Sequence, residues 1–434
     1  MGSTTGEARA VDGGRPERSR ELLAFAAATA VALVHAVDDA FLGRQPGVGI
    51  GQHALAAVVA LVGGLAAIAA FPRLRPGLRA ALALGLGVLA ATNGVLHVRH
   101  VMLDGPASSD LTGIAAALAG AVLVGLALWI PFRHRGELAA TARRRWATRA
   151  LAVVALVVFG YVLLFPTSAA IVVTHKHREP IGAPPDAVYE PVAFRADDGL
   201  ELDGWYVPSR NRAAIVLVHG GGGDRTGAAA HAELLRGHGY GVLLYDSRGR
   251  GESEGSPNAL GWGWERDVAG ALRFLRGRPD VDPARIAGLG LSTGADVLIG
   301  VAAESRALKA VVADGATAAS FSDYRNAFGI DSDAPYFWTL DVAVRVLSGS
   351  SPPRPLEEAV AEVAPAPLLL VAAGVGVRGE LVFNRLYAEA AREPVQLWEL
   401  PEVRHTAAIR ERPAEYERRV VRLFDATLGV AASR

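Results

Sequence analysis

A serine between two glycines stands where a short apolar segment gives way to a helical one. The segment from Gly290 to Gly294 (GLSTG) closes the apolar residues 285–291 and precedes a helical pattern from Ala295 to Ala303. A sharp turn of this kind needs the glycines, because side chains there would collide with neighbouring backbone. It also exposes the serine hydroxyl at a helix N-terminus, where the helix dipole favours a developing oxyanion. The pattern predicts that Ser292 is a nucleophile.

The same glycines allow a different interpretation. Gly288, Gly290 and Gly294 form a loose dinucleotide-binding fingerprint, and Asp314 lies about 20 residues on, where a ribose-binding acid would stand. The third glycine is one position late, however, and three predicted strands precede this one, whereas the fingerprint usually opens the first βαβ unit. We therefore favour the nucleophile turn.

His405 is the expected general base. It follows the last predicted strand, residues 395–400, and precedes a terminal helix predicted from Ala414 to Thr427. A histidine in that place can reach a nucleophile turn at the end of an earlier strand of the same sheet.

The acid that orients the base should follow the strand at residues 368–372, in the chain order nucleophile, acid, histidine. Residues 374–380 (GVGVRGE) offer only Glu380. Asp314, at the end of the preceding strand, is the alternative. We favour Glu380.

A glycine run supplies candidate oxyanion donors. Residues 219–223 (HGGGG) follow the apolar strand at residues 213–218, and bare glycine backbone can point its N–H groups at a substrate carbonyl. We expect the N–H groups of Gly221 and Thr293 to form the oxyanion hole, with His219 and Gly220 supporting the loop. No Gly-Lys-Ser/Thr follows, which excludes a phosphate-binding P-loop.

From about residue 187 to residue 430, short strands alternate with helical patterns. Asp198-Gly199 joins two strands as a hairpin, and wholly apolar strands follow, as in a buried parallel sheet. We predict a mostly parallel α/β sheet with flanking helices. Residues 316–363 interrupt the alternation with many aromatic side chains, and we expect them to form a lid.

These stretches resemble the α/β-hydrolase superfamily, in particular its serine aminopeptidase-like branch. The resemblance rests on residues 194–208 (FRADDGLELDGWYVP), 216–223, 245–255 (YDSRGRGESEG), 288–294 and His405. It implies an α/β-hydrolase fold and a carboxylesterase, thioesterase or peptidase that needs no cofactor. The usual Gly-x-x-Asp acid motif is not met, because Val377 stands where the aspartate would be.

The first part of the chain has a different composition. Within residues 21–174, five apolar stretches have the length of membrane spans, about 20 residues each: Leu22 to Val37, Ala54 to Phe71, Ala80 to Leu96, Ile114 to Phe132 and Ala150 to Val173. Arginines concentrate in the tail at residues 1–20 and in every second connection, so we place those parts in the cytoplasm. An odd number of spans then puts the C-terminal domain outside, after a linker at residues 175–186.

Histidines and aspartates gather near one end of these spans. His35, Asp38 and Asp39 share spacings of three and four residues on the first span, and His97 lies on the third. Two interpretations stay open: interfacial groups that reach lipid headgroups, or a metal or polar-ligand site.

Composition narrows the class of function. The 44 basic and 44 acidic side chains balance, so no positive field suggests nucleic acid, and the absence of cysteine excludes disulfides and thiolate catalysis. We expect a membrane-anchored serine hydrolase that acts on a small-molecule or lipid-like acyl substrate, or on a peptide, without cofactor. The rival hypothesis is a non-catalytic membrane sensor or scaffold that retains the fold.

Overall fold

The computed structural model describes residues 15–107, 110–133 and 142–430. Most of the expected cytoplasmic tail and part of the arginine-rich connection, residues 134–141, lie outside the described residues. The chain divides into two compact units. One is helical and runs to Val172, and the other comprises Val173 onward together with the short segment Gln45–Gly49.

The helical unit consists of long apolar helices. Its helices are α1 Arg15–Phe41, α2 Ala54–Ala70, α3 Pro76–Asp104, α4 Asp110–Arg133, α5 Ala142–Phe159 and α6 Phe165–His175, the last two joined by the π-helical turn Gly160–Leu164. Five segments among the described residues are long and apolar enough to cross a membrane: Ser19–Phe41, Ala54–Arg73, Pro76–Asp104, Asp110–Arg133 and Ala150–His175. This confirms the five predicted stretches, each of which is longer in the structure, most of all the third with 29 residues.

Glycines let α3 and α4 pack with their backbones in close contact. A Cβ added at Gly94 would lie 2.4 Å from the backbone nitrogen of Ala117, and one at Gly120 would lie 2.6 Å from that of Ala91. Small residues at a helix–helix interface are the usual way for apolar helices to associate without a hydrophobic driving force. The glycine positions therefore fix the pairing of these two helices.

The second unit is built on one eight-stranded sheet. Its strands are β1 Glu190–Arg195, β2 Glu201–Val207, β3 Ala214–Val218, β4 Gly241–Tyr245, β5 Ile286–Leu291, β6 Val311–Asp314, β7 Leu368–Val375 and β8 Val395–Arg404. The strand order is β1-β2-β4-β3-β5-β6-β7-β8. β1 and β2 pair antiparallel, as do β2 and β4, and all later pairs are parallel. The predicted hairpin and parallel sheet are confirmed.

Helices cover both faces of the sheet. They are α7 Ala229–Gly237, α8 Glu265–Arg276, α9 Thr293–Ser305, α10 Phe321–Phe328, α11 Ala334–Ser348, α12 Leu356–Val360, α13 Glu380–Ala390, α14 Ala408–Glu411 and α15 Pro413–Leu428. Successive residues of a strand point to opposite faces, so Val216 belongs to one hydrophobic core and its neighbour Leu217 to the other. This double burial explains why the strands read as continuous apolar runs rather than as alternating ones.

The aromatic insert between β6 and β7 forms α10, α11 and α12. Tyr324 stacks on Phe337 with ring centroids 4.1 Å apart, and Phe328 meets Phe383 of α13 edge-to-face at 5.4 Å. Ile330 and Trp338 remain exposed, at 83% and 54%. The insert thus packs through its aromatic side chains and presents further apolar side chains to its surroundings.

The close pairing of α3 and α4 can be tested by adding one methyl group. We expect Gly94→Ala to destabilise the helical unit by about 1–3 kcal/mol, the usual cost of overpacking, because backbone atoms cannot move aside. Gly63→Ala on α2 is the matched control, since a Cβ there meets nothing within 4 Å. Thermal melting of the full chain in detergent, followed by circular dichroism, measures both. Equal melting temperatures for the two variants would contradict the pairing.

Candidate active site

Ser292 occupies a strained turn between β5 and α9. Its backbone has φ 53° and ψ −122°, and its N–H donates to the Asp314 carbonyl at 2.8 Å. A Cβ at Gly290 would lie 2.3 Å from the Gly294 carbonyl oxygen, and one at Gly294 would lie 2.3 Å from that of Val218. Only glycine fits on either side, as the sequence pattern predicted. A positive φ at a non-glycine residue costs free energy and is typical of functional sites.

His405 follows β8 directly and contacts Glu380, the first residue of α13. His405 Nδ1 lies 2.6 Å from Glu380 Oε2, while Glu380 Oε1 accepts the Ala373 N–H at 2.6 Å. The Glu380 carboxylate is buried, and the imidazole is partly exposed. The structure thus brings together the histidine and the acid that the sequence favoured.

Glu380 also sets the acid–base behaviour of the imidazole. Burial lowers the pKa of His405, but the hydrogen bond and the charge of Glu380 outweigh burial, with smaller contributions from Asp314 and Asp296. The net result is a pKa of His405 above its ordinary value, because the imidazolium is stabilised by a carboxylate at hydrogen-bond distance.

Asp314, the alternative acid, is directed elsewhere. It is buried at the end of β6, and its Oδ2 lies 4.0 Å from His231 Nε2. Burial raises the pKa of Asp314 to about 7. Among the described residues no hydrogen bond joins its side chain to His405. Asp314 instead contributes to the Ser292 turn through its backbone carbonyl, which accepts the Ser292 N–H.

Gly315 places the histidine beside the end of β6. It has φ +80°, and a Cβ there would lie 2.8 Å from His405 Cε1. Gly315 therefore permits a close approach of the imidazole to the end of β6, where the Asp314 carbonyl accepts the Ser292 N–H. No signal in the sequence distinguished this glycine from other turn glycines.

The glycine run after β3 lies against the Ser292 turn. A Cβ at Gly220 would lie 3.3 Å from Ser292 Cβ. One at Gly221 would lie 1.8 Å from the Ala259 carbonyl oxygen, which also accepts the Thr293 hydroxyl at 3.0 Å. As the first residue of α9, Thr293 has no intrahelical partner for its N–H. The two expected oxyanion donors thus belong to adjacent backbone segments linked through Ala259.

His219 holds the glycine loop in place. Its Nε2 accepts the Ser247 N–H at 3.0 Å, so Nδ1 carries the proton and donates to the Gly220 carbonyl at 2.8 Å. Burial lowers the pKa of His219 to about 4, which keeps the ring neutral. His219 is therefore a structural link between the loop and the segment after β4.

The segment after β4, residues 246–251, is fixed by buried arginines. Arg248 pairs with Asp267 of α8 at 2.7 Å and with Asp198 of the β1–β2 hairpin at 2.9 Å. Arg225 pairs with Asp246 at 3.0 Å. These ion pairs tie the segment to α8 and to the β1–β2 hairpin, and Ser247 joins it to His219 beside the glycine loop.

Sequence reasoning missed the loop around Trp262 and Trp264. Trp262 Nε1 donates to the Ala319 carbonyl at 2.8 Å, which attaches the aromatic insert to this loop, and Trp264 packs edge-to-face on His219 at 5.1 Å. The available signal was the pattern Gly261-Trp262-Gly263-Trp264, in which both glycines adopt positive φ. Two tryptophans at such a turn indicate a packed loop rather than a flexible one.

Asp296, on α9, was also missed. It is buried, and its carboxyl accepts the Thr317 N–H at 2.8 Å. Burial raises the pKa of Asp296 to about 8. The Asp296 carboxyl therefore bonds the start of the aromatic insert, whereas Glu380 makes the hydrogen-bond contact with His405.

The candidate metal residues of the sequence lie in the helical unit. His35 Nδ1 is 3.1 Å from the Thr112 hydroxyl, and that hydroxyl donates to Asp38 at 2.5 Å. Asp39 lies in the same last turns of α1. His97 Nδ1 is 3.0 Å from Asp110 Oδ1. A hydroxyl therefore stands between His35 and Asp38, and the direct histidine–carboxylate contact is made on α3 and α4.

A family model matches the sheet-bearing part of the chain. Residues 202–396 match the X-Pro dipeptidyl-peptidase (S15 family). The matched range begins in β2 and ends in β8, so it contains Ser292 and Glu380 and stops before His405.

Two bacterial relatives match part of the chain. The uncharacterized protein Rv2307c of Mycobacterium tuberculosis is 34% identical over 167 residues, which are 37% of this chain and 59% of that protein. The uncharacterized protein YfhR of Escherichia coli is 29% identical over 254 residues, which are 54% of this chain and 82% of that protein. The chain thus spans little more than half the length of Rv2307c.

Solved structures of other proteins resemble part of this chain. The esterase Pf2001 of Pyrococcus furiosus is 20% identical and has a TM-score of 0.47, with 58% of this chain and 98% of that chain covered. The sheet order, the glycine-flanked serine turn between β5 and α9 and the family match agree with one another. The second unit accordingly has the α/β-hydrolase fold.

Proposed function

We propose that this domain is a serine hydrolase that cleaves an ester, thioester or amide through an acyl-enzyme, with Ser292 as nucleophile, His405 as general base and Glu380 as the orienting acid. The observation that carries the proposal is the positive φ of Ser292 at the start of α9. Such strain persists only where the surrounding structure enforces it, and it is typical of a nucleophile turn.

The chemistry follows from the contacts of His405. Because Nδ1 engages Glu380, the lone pair of the neutral ring is on Nε2, which accepts the Ser292 proton as Oγ bonds to the substrate carbonyl carbon. The oxyanion is stabilised by the N–H groups of Gly221 and Thr293. Nε2 then returns the proton to the leaving group as its bond to carbon breaks.

Water completes the turnover. It attacks the acyl carbon while His405 Nε2 accepts one of its protons; the Ser292 Oγ–carbon bond then breaks, and Oγ recovers a proton from Nε2. The products are a carboxylic acid and the free serine. Every proton is therefore carried by one imidazole, which explains why its orientation by Glu380 matters.

The contact of Glu380 with His405 weakens the scaffold hypothesis. That hypothesis depended on Val377 standing where the superfamily has an aspartate. A glutamate three residues later reaches the imidazole at 2.6 Å because it opens α13 and has a longer side chain.

We further propose that the helical unit is embedded in a membrane and that the hydrolase domain lies outside the cytoplasm. Large apolar side chains on the helical unit are exposed, for example Leu128 at 70% and Leu151 at 69%, as expected for lipid-facing surfaces. The side assignment rests on the arginine-rich connections. With the aromatic insert of residues 316–363 as lid, we propose a lipid-like acyl compound or another apolar small molecule as substrate.

Removing the nucleophile tests the mechanism. We expect Ser292→Ala to lower kcat/KM for a p-nitrophenyl ester by at least about 10⁴-fold and to abolish labelling by a fluorophosphonate probe. Ser305→Ala at the exposed other end of α9 is the matched control and should leave both unchanged. Substantial turnover by purified Ser292→Ala would rule out this nucleophile.

The assignment of the acid predicts a difference between two variants. Glu380→Gln should lower kcat by about 10²–10⁴-fold, because an amide no longer enforces the productive tautomer of His405. Asp314→Asn should cost far less, since its carboxyl does not contact the imidazole. The reverse ranking would make Asp314 the acid.

The pH profile gives an independent test. His405 must be neutral to act as base, and its pKa is raised, so activity should fall with decreasing pH through an apparent pKa above about 6.5, the ordinary histidine value. In Glu380→Gln that limb should move to lower pH, because the stabilising charge is gone. Measurement of kcat/KM from pH 5 to pH 9 checks both, and an unchanged limb would exclude electrostatic control by Glu380.

Protease accessibility tests the side of the membrane. Protease added to intact spheroplasts should digest the hydrolase domain, as detected by an antibody against a C-terminal epitope. A cytoplasmic marker protein should survive in the same sample. Protection of the domain until lysis would contradict the topology.

A further inference from the structure

Three polar side chains from different elements meet in the core beside the end of β6, and the proposed hydrolysis uses none of them. Their polar atoms are His231 Nδ1 and Nε2, Asp314 Oδ2 and the Tyr416 hydroxyl, and among the described residues none of these atoms has a hydrogen-bond partner. The three residues are 3%, 1% and 0% exposed. A buried polar atom without a partner costs about 1–3 kcal/mol, so the cluster calls for a bound molecule that satisfies it.

His231, on α7, lies against both of the other side chains. Its Nε2 is 4.0 Å from Asp314 Oδ2, and its ring packs edge-to-face on that of Tyr416 of α15, with centroids 5.5 Å apart. Burial raises the pKa of Asp314 to about 7, and the nearby Tyr416 hydroxyl opposes that rise. The elements α7, β6 and α15 therefore bring these polar groups to one place.

The separation of His231 and Asp314 fits a bridging water molecule. A direct hydrogen bond between nitrogen and oxygen needs about 2.7–3.2 Å, so the 4.0 Å between Nε2 and Oδ2 is too long. Two hydrogen bonds of about 2.8 Å that meet at about 90° span this distance. Buried waters typically form about three hydrogen bonds, and Nε2, Oδ2 and the Tyr416 hydroxyl offer that number.

The protonation of His231 is compatible with such a bridge. Burial lowers the pKa of His231 to about 3, with a smaller contribution from Arg410, so the ring is neutral. A neutral imidazole can donate from Nε2 to the water, which also accepts from the Tyr416 hydroxyl and donates to Asp314 Oδ2. Every donor of the three side chains then has an acceptor.

The backbone of Asp314 connects this cluster with the active site, because its carbonyl accepts the Ser292 N–H at 2.8 Å. We propose that one buried water molecule joins His231, Asp314 and Tyr416 and thereby positions the Asp314 carbonyl that holds the Ser292 turn. His231 and Tyr416 are positioning residues, which act through Asp314 and touch no substrate. This inference rests on the proposed serine hydrolase function.

A double-mutant cycle on the full chain in detergent, with a p-nitrophenyl ester as substrate, tests the proposal. Tyr416→Phe removes one oxygen, and His231→Phe removes both nitrogens but keeps an aromatic ring against Tyr416. We expect each variant to lower kcat by about 10-fold with KM unchanged, because the Ser292 turn shifts while no substrate contact is lost. The double variant should also lose about 10-fold, and not about 100-fold, because both changes act through the same water. His231→Gln, which keeps a donor, should recover most of kcat.

Tyr240→Phe is the matched control. Tyr240 is a buried tyrosine of the same core, and its hydroxyl donates to Asp425 of α15 at 2.5 Å. Its loss should lower the melting temperature but leave kcat unchanged. If His231→Phe does not fold, judged by circular dichroism, Asp314→Ala replaces it in the cycle.

The outcomes separate this inference from the proposed function. Turnover that depends on Ser292 but is unchanged in folded Tyr416→Phe and His231→Phe would overturn the inference alone. Additive losses of kcat in the double variant would overturn the shared water. Turnover that survives Ser292→Ala would instead refute the proposed function.

Discussion

The close contact of backbone segments around Ser292 constrains the rest of the hydrolase domain. Gly290 and Gly294 touch carbonyl groups at distances that exclude any side chain, so β5, the end of β3 and the start of α9 can approach in only one way. The Ser292 N–H is tied to the end of β6 by its bond to the Asp314 carbonyl. The conformation of the serine therefore depends on three strands at once, which is how a strained φ is maintained.

The surroundings of His405 contain several buried carboxyl groups, and their hydrogen bonds distinguish them. Burial raises the pKa of Asp296 to about 8 and that of Asp314 to about 7, so both are easily protonated near neutral pH. Glu380 instead accepts a backbone N–H from β7 and contacts the imidazole. The hydrogen bonds of each carboxyl group, and not its distance along the chain from His405, determine which one contacts the imidazole.

In the helical unit, as at the serine turn, glycines allow backbone segments to come into close contact. Gly94 and Gly120 allow backbone contact between α3 and α4, and Gly113 leaves room for the His97 ring. Because the helices approach so closely, His97 and Asp110 meet at 3.0 Å. Small residues at the interface thus position polar side chains that apolar packing alone would keep apart.

The sequence by itself determined the elements, since apolar runs, the Asp198-Gly199 hairpin and the glycines around Ser292 each reflect local or strictly repeating constraints. It also indicated Ser292 and His405, because both stand next to strand ends. Only the tertiary structure decided which carboxyl group contacts His405 and that Asp110 contacts His97. Those contacts join residues from different elements, and their distances depend on how glycine-lined backbones approach, which no local pattern encodes.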